Sequence, residues 1–333
     1  MNKSFKPVKK TDEPGLTGVR QIVVSGASGQ RIDNFLAREL RGVPKARIYR
    51  MLRTGEVRRN GSRVQPSDRV ADGDVLRIPP VIRAGHVGTA ATVPISDDIT
   101  GLLTRRILFE DDDLLIIDKP AGIAVHGGSG IAWGAVEALR RVRPDVELEL
   151  GHRLDRDTSG CLLFAKHRSA LLAVHRALRE REVRKRYAVL VAGRWSRRVA
   201  TVQLPLEKYV LKSGERRVRV SQEGKPARTD FSVVATTDRA SWLDARLHTG
   251  RTHQIRVHAA TSGHAVLGDV KYAPPAVLGL ATECSINRLC LHARELVFEH
   301  RGARLRVEAP VPAEFMRAWQ SLGGAVETDQ SVD

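Results

Sequence analysis

The spacing of apolar residues changes several times along the chain, and each change marks an element. Between Gln30 and Leu40, the apolar Ile32, Phe35, Leu36 and Leu40 recur at helical spacing with Arg31, Arg38 and Arg41 off that face, which predicts an amphipathic helix. Pro44 opens a second helix whose apolar side is Ile48, Met51 and Leu52, and Gly55 closes it. The runs flanking Asn60-Gly61 are short and strand-like, and that dipeptide between them predicts a hairpin. A further strand, Val75 to Ile78, follows the Asp72-Gly73 turn. Pro79-Pro80 ends this module, and residues 81–105, with scattered Gly, Ala and Thr and no periodicity, read as a linker.

Beyond Ile107 strand-like runs dominate. Leu114 to Ile117 and Cys161 to Ala165 are continuous apolar runs suited to interior strands, and Val146 to Leu150 alternates as a half-buried strand does. Ala132 to Arg141 reads as a helix, and so does Ser169 to Val183, with Leu171, Val174 and Leu178 on one face. Strands are predicted at Tyr187 to Val191, Glu215 to Ser221 and Ala227 to Val234, in alternating runs on both sides of His248–His258, at Arg288 to Phe298 and at Ala303 to Ala309. The whole predicts an α+β protein. A disordered basic arm over 1–18 precedes a small αβ module over 19–80, the linker over 81–105 and a larger domain over 106–322. That domain is built on a mixed, mostly antiparallel sheet flanked by helices, and a disordered acidic tail over 323–333 closes the chain.

One polar stretch interrupts the second domain. Gly151-His152-Arg153-Leu154-Asp155-Arg156-Asp157-Thr158-Ser159-Gly160 joins two apolar runs, so it reads as a loop held by strands, where chemistry concentrates. Asp157 and Ser159 can cap a turn with their own side chains and Gly160 can take positive φ. Turn chemistry leaves Asp155 unexplained.

Charge narrows the partner. The 333 residues carry 55 Lys+Arg against 38 Asp+Glu, a net charge of +17. A field of that sign attracts polyanions, nucleic acid first, against the plainer reading of a solvated basic surface. Arg31 lies on the first helix, Lys45, Arg47, Arg50 and Arg53 ride on the second, and Arg58 is in the hairpin, a cationic face suited to an RNA backbone. The alternative for this module is a small protein-binding helical hairpin. Cys161, Cys284 and Cys290 make no C-x-x-C pair, so neither a zinc site nor a disulfide framework is expected. No apolar segment is long enough to cross a bilayer and the N-terminus lacks an apolar core, so a cytoplasmic protein without a membrane partner is expected. The glycines after Lys119-Pro120 form neither a P-loop nor a dinucleotide fingerprint, which argues against a nucleotide cofactor.

Three chemistries compete for the second domain. A metal site of His248, His253, His258, His264 and His292 lacks H-E-x-x-H spacing and has Arg251 and Arg256 interleaved, the wrong charge for a cation. An aspartic protease needs two Asp-Thr/Ser-Gly units, whereas Asp157-Thr158-Ser159-Gly160 has its glycine displaced and no second copy. The third is a single carboxylate, Asp155, acting as nucleophile or base on a nucleic-acid base. Arg153 or an arginine from Arg251–Arg256 would hold it ionised and oriented. Tyr187, a strand tyrosine flanked by Lys185 and Arg186, reads by itself as packing.

These motifs together resemble a known family. His152-Arg153-Leu154-Asp155 with Thr158-Ser159-Gly160, Lys185-x-Tyr187 running to Val191-x-Gly193, and Arg251-Thr252-His253-Gln254-Ile255-Arg256-Val257-His258 look like the three signatures of the RluA-type pseudouridine synthases. Lys119-Pro120-x-Gly122 and Leu291-His292-Ala293 match too. Arg31-Ile32-Asp33-Asn34-Phe35-Leu36 and Gly55-Glu56-Val57 resemble the S4 RNA-binding module. Two departures, Asp118 for Asn and Val189 for Ala, touch no residue with assigned chemistry.

The resemblance implies isomerisation of uridine to pseudouridine in large-subunit ribosomal RNA or an assembly intermediate, by a monomer without cofactor or metal. It makes residues 106–322 the catalytic domain. Asp155 becomes the nucleophile at C1′ of the ribose or C6 of the base, Tyr187 abuts the uracil and takes the C5 proton, and Arg256 pairs with Asp155. Because the uridine must leave its stack, Arg153 fills the vacancy, and Arg251 and Leu291 join the RNA-contacting set. The rival from another class is a non-catalytic rRNA-binding assembly factor that kept the fold.

Overall fold

A computed structural model describes residues 19–40, 43, 45–81, 95–128, 131–196, 200–211 and 213–325. The arm expected over 1–18 and the tail beyond 325 lie outside them. Backbone contacts divide the chain into two compact units, Met1–Thr92 and Val93–Asp333.

In the first unit, β1 (Arg20–Val23) is followed by α1 (Ile32–Glu39), α2 (Lys45–Thr54), the hairpin β2 (Arg58–Arg59) and β3 (Ser62–Arg63), and β4 (Val75–Ile78). The strands form one sheet in the order β1-β4-β2-β3. The apolar stripe read from the sequence is its core: Ile32, Phe35, Leu36 and Leu40 of the first helical segment meet Ile48, Met51 and Leu52 of α2, with Leu76 and Ile78 beneath. Asn60 and Gly61 both have positive φ (51° and 84°), as a two-residue hairpin turn requires.

The second unit begins inside the stretch read as a linker. Asp97–Thr104 is a helix, α3, whose Ser96 Oγ accepts the Ile99 N–H and whose first turn carries Asp97 and Asp98. Cap and acidic first turn suit a helix N-terminus, and one turn's worth of apolar contact through Ile99 and Leu103 secures it, too short a signal to show as periodicity. There follow β5 (Ile107–Glu110), β6 (Leu114–Lys119), α4 (Ala135–Val142), β7 (Glu149–Leu150), β8 (Ser159–Ala165), α5 (Arg168–Glu180) and β9 (Arg184–Ala192). Next come β10 (Thr201–Gln203), β11 (Leu206–Val210), β12 (Arg216–Val220), β13 (Arg228–Thr236), β14 (Ala240–Leu247), α6 (Gln254–Thr261) and α7 (Pro275–Glu283). The unit ends with β15 (Leu291–His300), β16 (Ala303–Glu308) and α8 (Ala313–Ser321).

The main sheet runs β10-β13-β14-β9-β15-β8-β6-β5, with β16 on β15 and β7 on β8, while β11 and β12 pair separately. Its pairings are antiparallel except β15 with β8, which run parallel through His292–Ser159 and Ala293–Gly160. That junction needs a glycine: Gly160 has φ 108°, and a Cβ there would meet the Ala293 carbonyl oxygen at 2.2 Å. One face of the sheet buries Ile117, Leu162, Val189, Val191 and Leu243 under α3, α4 and α6. The other face is covered by α5 near Cys161 and Leu163, and by α7 and α8 near Leu190.

Three readings change. The alternating run expected beyond His258 is not a strand: α6 (Gln254–Thr261) runs into it, and its residues Gln254 to Ala259 are all buried. A helix buried on every side loses its amphipathic stripe, so the chance alternation of Ile255 and Val257 with Arg256 and His258 mimics a strand. Helices α7 and α8 add elements the strand reading passed over. Ser159 does not cap a turn; it lies inside β8, its Oγ 2.8 Å from His292 Nδ1 and accepting from Arg288 at 2.6 Å.

Candidate active site

The polar stretch leaves β7 and enters β8, and its two ends are tied to the sheet. Gly151 N–H donates to the Leu163 carbonyl at 2.9 Å, and the Thr158 N–H closes a turn on the Asp155 carbonyl at 3.2 Å. Lys119, at the end of β6, is fully buried and donates from Nζ to the carbonyls of Pro120, Ile123 and Arg156 at 2.8, 2.8 and 3.0 Å. Burial pushes its amine down to about 7, against the pull of Asp157 and Asp155. Three carbonyl acceptors match the three N–H groups of an ammonium, so the protonated form braces the loop next to Asp155.

Asp155 lines a cavity of about 270 Å³ together with Arg153, Lys185, Tyr187, Arg251, His253 and Leu291. Its Oδ2 lies 3.4 Å from Arg256 Nη1 and 3.8 Å from His253 Nε2. Arg256 is itself gripped by a residue the sequence reading missed: Asp269 accepts Nε at 2.7 Å and Nη2 at 2.6 Å, with both side chains almost wholly buried. The buried fork leaves one guanidinium edge for Asp155 and fixes its direction. The only sequence signal for Asp269 is an acid directly after a glycine in an apolar neighbourhood. That glycine is needed, for Gly268 has φ 74° and a Cβ on it would lie 1.9 Å from the Arg288 carbonyl oxygen.

Tyr187 and Lys185 sit two residues apart on β9 and therefore point to the same face, into the cavity. Burial, and then the Asp155 charge, raise the Tyr187 hydroxyl far above the usual phenol range, so it is a neutral phenol. Burial alone lowers the Lys185 amine. His152 accepts the Leu163 N–H on Nε2 at 3.3 Å, and burial followed by the Lys185 charge pushes it down to about 4, so it too is neutral.

A second cavity of about 380 Å³ adjoins the first and shares Arg153, Gly250, Arg251 and Thr252 with it. Lys208 of β11 and Lys225 also line it. Burial, then Arg153, Lys225 and Arg216, lower the Lys208 amine, whereas the nearby Glu207 carboxylate is taken by Arg219 at 3.0 Å. Glu223 lines the cavity too, but Arg153, Lys208, Lys225 and Arg251 outnumber the carboxylates and make it a seat for an anion.

The basic residues expected in the first unit fare differently. Arg31 is bonded to Asp33 at 3.2 and 2.8 Å, and Arg47 to Glu56 at 3.1 and 2.7 Å, so their charge is already partly met. Arg58 reaches the Gly61 carbonyl at 3.2 Å, and Arg50 and Arg53 are exposed. Lys45 opens α2, its side chain lying outside the described residues. The histidines weighed as metal ligands have separate partners: Asp230 for His248, Tyr272 for His253, Thr229 for His258, the Ala192 carbonyl for His264 and Ser159 for His292. Asp118 turns away from Lys119 and pairs with Arg106 at 2.7 Å.

A model of the RNA pseudouridylate synthase family matches residues 113–261, and an S4 domain model matches residues 30–76. Over 321 residues the chain is 46% identical to ribosomal large subunit pseudouridine synthase C of Pasteurella multocida, covering 94% of this chain and 97% of that one. It is 47% identical to the protein of the same name from Escherichia coli strain K12, over 95% and 99% of the two chains. Among solved structures it resembles human RNA pseudouridylate synthase domain containing 4, with TM-score 0.57, 26% identity and coverage of 68% of this chain and 96% of that one. Human RNA pseudouridylate synthase domain containing 1 aligns with TM-score 0.52 at 26% identity, over 61% and 82%. With nearly half its residues identical to the two bacterial synthases along almost its whole length, the chain belongs to the RNA pseudouridylate synthase family.

Proposed function

We propose that this protein converts uridine to pseudouridine in large-subunit ribosomal RNA, with Asp155 as the nucleophile. One observation carries the reading: the Asp155 carboxylate enters a cavity beside Tyr187 and is approached by an arginine that buried Asp269 holds in place. The substrate comes from the names of relatives sharing 46–47% of its residues and from the S4 domain match, together with the net charge of +17.

The reaction breaks the C1′–N1 bond and forms C1′–C5; C5 loses a proton and N1 gains one, so atoms and electrons balance without a cofactor or metal. Uracil is a poor leaving group, and a carboxylate fixed at the sugar or at C6 supplies the effective molarity the step needs. The uridine must be flipped out, and Arg153, next to the nucleophile, fills the gap it leaves. Tyr187 abuts the base as a neutral phenol. Covalent attachment of Asp155 removes the carboxylate charge that helps hold the phenol proton, so after that bond has formed the phenol can give its proton toward the uracil nitrogen being freed and, as phenolate, take the one from C5. Arg251, Lys208 and Lys225 receive flanking phosphates, and residues 19–80 add RNA affinity through Arg50, Arg53 and their neighbours. We read the protein as a cytoplasmic monomer, which sedimentation of the free protein tests.

Asp155→Asn tests the assignment. The variant is expected to form no pseudouridine, mapped by carbodiimide labelling of the ribosomal RNA, while binding RNA within about twofold of the parent, since the substitution removes one charge at a site that is not a phosphate seat. Retained turnover would remove Asp155 from the nucleophile role.

A further inference from the structure

Tyr272 stands between the two groups that approach Asp155. Its ring lies 5.1 Å from the Arg256 guanidinium and edge-on to the His253 imidazole at 5.5 Å. Its oxygen accepts the Val218 N–H of β12 at 3.0 Å and lies 2.6 Å from His253 Nδ1. If Nδ1 carried the proton on that short contact, the Tyr272 oxygen would accept twice, and its own O–H would be left without an acceptor. If the O–H donates to Nδ1, the amide, the hydroxyl and the ring nitrogen are all satisfied. The network therefore assigns the imidazole proton to Nε2, the nitrogen that faces Asp155 Oδ2 at 3.8 Å.

The backbone has been shaped for this placement. His253 has φ 52° and ψ 22°, the left-handed region that residues other than glycine adopt uncommonly. It is the N-cap of α6, one turn before Arg256, so one helix start delivers both groups to the same carboxylate oxygen.

We propose that Tyr272 locks His253 as the neutral Nε2–H tautomer and that His253 is thereby a positioning residue, whose N–H, 3.8 Å from the carboxylate in the free protein, closes on Asp155 when the uridine is bound and holds it in line for attack. The proposal rests on the reading of Asp155 as nucleophile. An imidazolium at this place would bind Asp155 as an ion pair and draw off its nucleophilic charge. The groups facing the ring divide: Asp155 and Asp269 favour its protonation, Arg256 and Lys271 oppose it, and burial, the largest influence, opposes it as well.

The test uses the full-length protein and a large-subunit rRNA transcript tritiated at uridine C5, with tritium release followed under single turnover between about pH 5.5 and 7, where a free histidine titrates. Filter binding of the same RNA and thermal melts accompany each variant. The parent rate is expected to stay flat across this range. Tyr272→Phe frees Nδ1 to take a proton, and because burial still holds the ring below the ordinary histidine value, its rate is expected to fall toward the acid end of this range, approaching tenfold per unit. His253→Gln keeps an N–H donor that does not titrate, and is expected to stay within about threefold of the parent with a flat profile. His253→Ala is expected to lose about tenfold or more at every pH with RNA affinity unchanged. A Tyr272→Phe profile as flat as the parent's overturns the tautomer lock. A His253→Ala rate equal to the parent's, or a His253→Gln rate as low as that of His253→Ala, overturns the positioning role. A parent protein that releases no tritium overturns the functional reading instead.

Discussion

Asp269→Asn separates holding Arg256 from touching the substrate. Asp269 receives both Nε and Nη2 of Arg256, at 2.7 and 2.6 Å, and its Oδ1 also accepts the Lys271 N–H at 3.0 Å and the Tyr272 N–H at 3.3 Å. The side chains of Asp269 and Arg256 are 0% and 4% exposed, so no water compensates for a lost bond. Removing one partner of a buried ion pair outright costs about 3–5 kcal/mol. Asparagine keeps the shape and one acceptor oxygen but sets an NH₂ against the guanidinium, so the loss should be about 2–3 kcal/mol, one charge-assisted hydrogen bond and part of a second.

The functional cost is larger in effect. A guanidinium freed from its fork can swing toward Asp155, now the remaining carboxylate at 3.4 Å, and displacement of a catalytic group by about 1 Å is worth about 100-fold in rate. Urea denaturation should show the stability loss, single-turnover tritium release the rate loss, and filter binding an RNA affinity within about twofold of the parent. A variant destabilised as expected yet turning over at the parent rate would refute the claim that Asp269 acts through Arg256. A variant of unchanged stability would refute the energetic account of the buried pair.

Other consequences can be measured in the same way. Lys119→Met should cost about 3 kcal/mol, because three carbonyls lose their donor at roughly 1 kcal/mol each, and should slow turnover by loosening the loop at Arg156; melts and single-turnover rates check both. Half-buried His152 and buried His292 are both neutral, each pushed down to about 4 by desolvation foremost. The unfolded chain, whose histidines titrate near 6.5, therefore binds protons first on acidification, so the histidines' contribution to stability should be complete above about pH 6.5 and fall toward pH 4, by up to about 3 kcal/mol for fully buried His292. His292→Asn should flatten that slope in urea titrations, and an unchanged slope would discount the burial argument. Lys208→Ala and Lys225→Ala should each reduce the slope of log affinity against log salt by about 1 while leaving the single-turnover rate at saturating RNA within about threefold.

What the chain's own pattern determines is local. The stripe of Ile32, Phe35, Leu36 and Leu40, the Asn60-Gly61 turn and the continuous runs at Leu114 and Cys161 specify elements because period and turn chemistry act over a few residues. The polar stretch at Gly151–Gly160, with an aspartate that turn chemistry does not use, was legible for the same reason, and so was the basic character of α2. Two further things were beyond sequence pattern. Helix α6 is buried on every side, which erases the stripe that would have announced it, and α3 is short enough that its cap speaks louder than its periodicity.

The site itself is a product of tertiary structure. Asp155 and Arg256 stand 101 residues apart, and the sheet order that brings β9 beside β14 and β15 is what sets Tyr187, Leu291 and the start of α6 around one cavity. Asp269 leaves only the faint mark of an acid after a glycine, and Tyr272 leaves none, because a buried carboxylate or phenol is chosen by the unpaired partner it meets in the folded chain. An unmet buried charge is costly enough that the partner has to be there, and only the fold decides which residue it is.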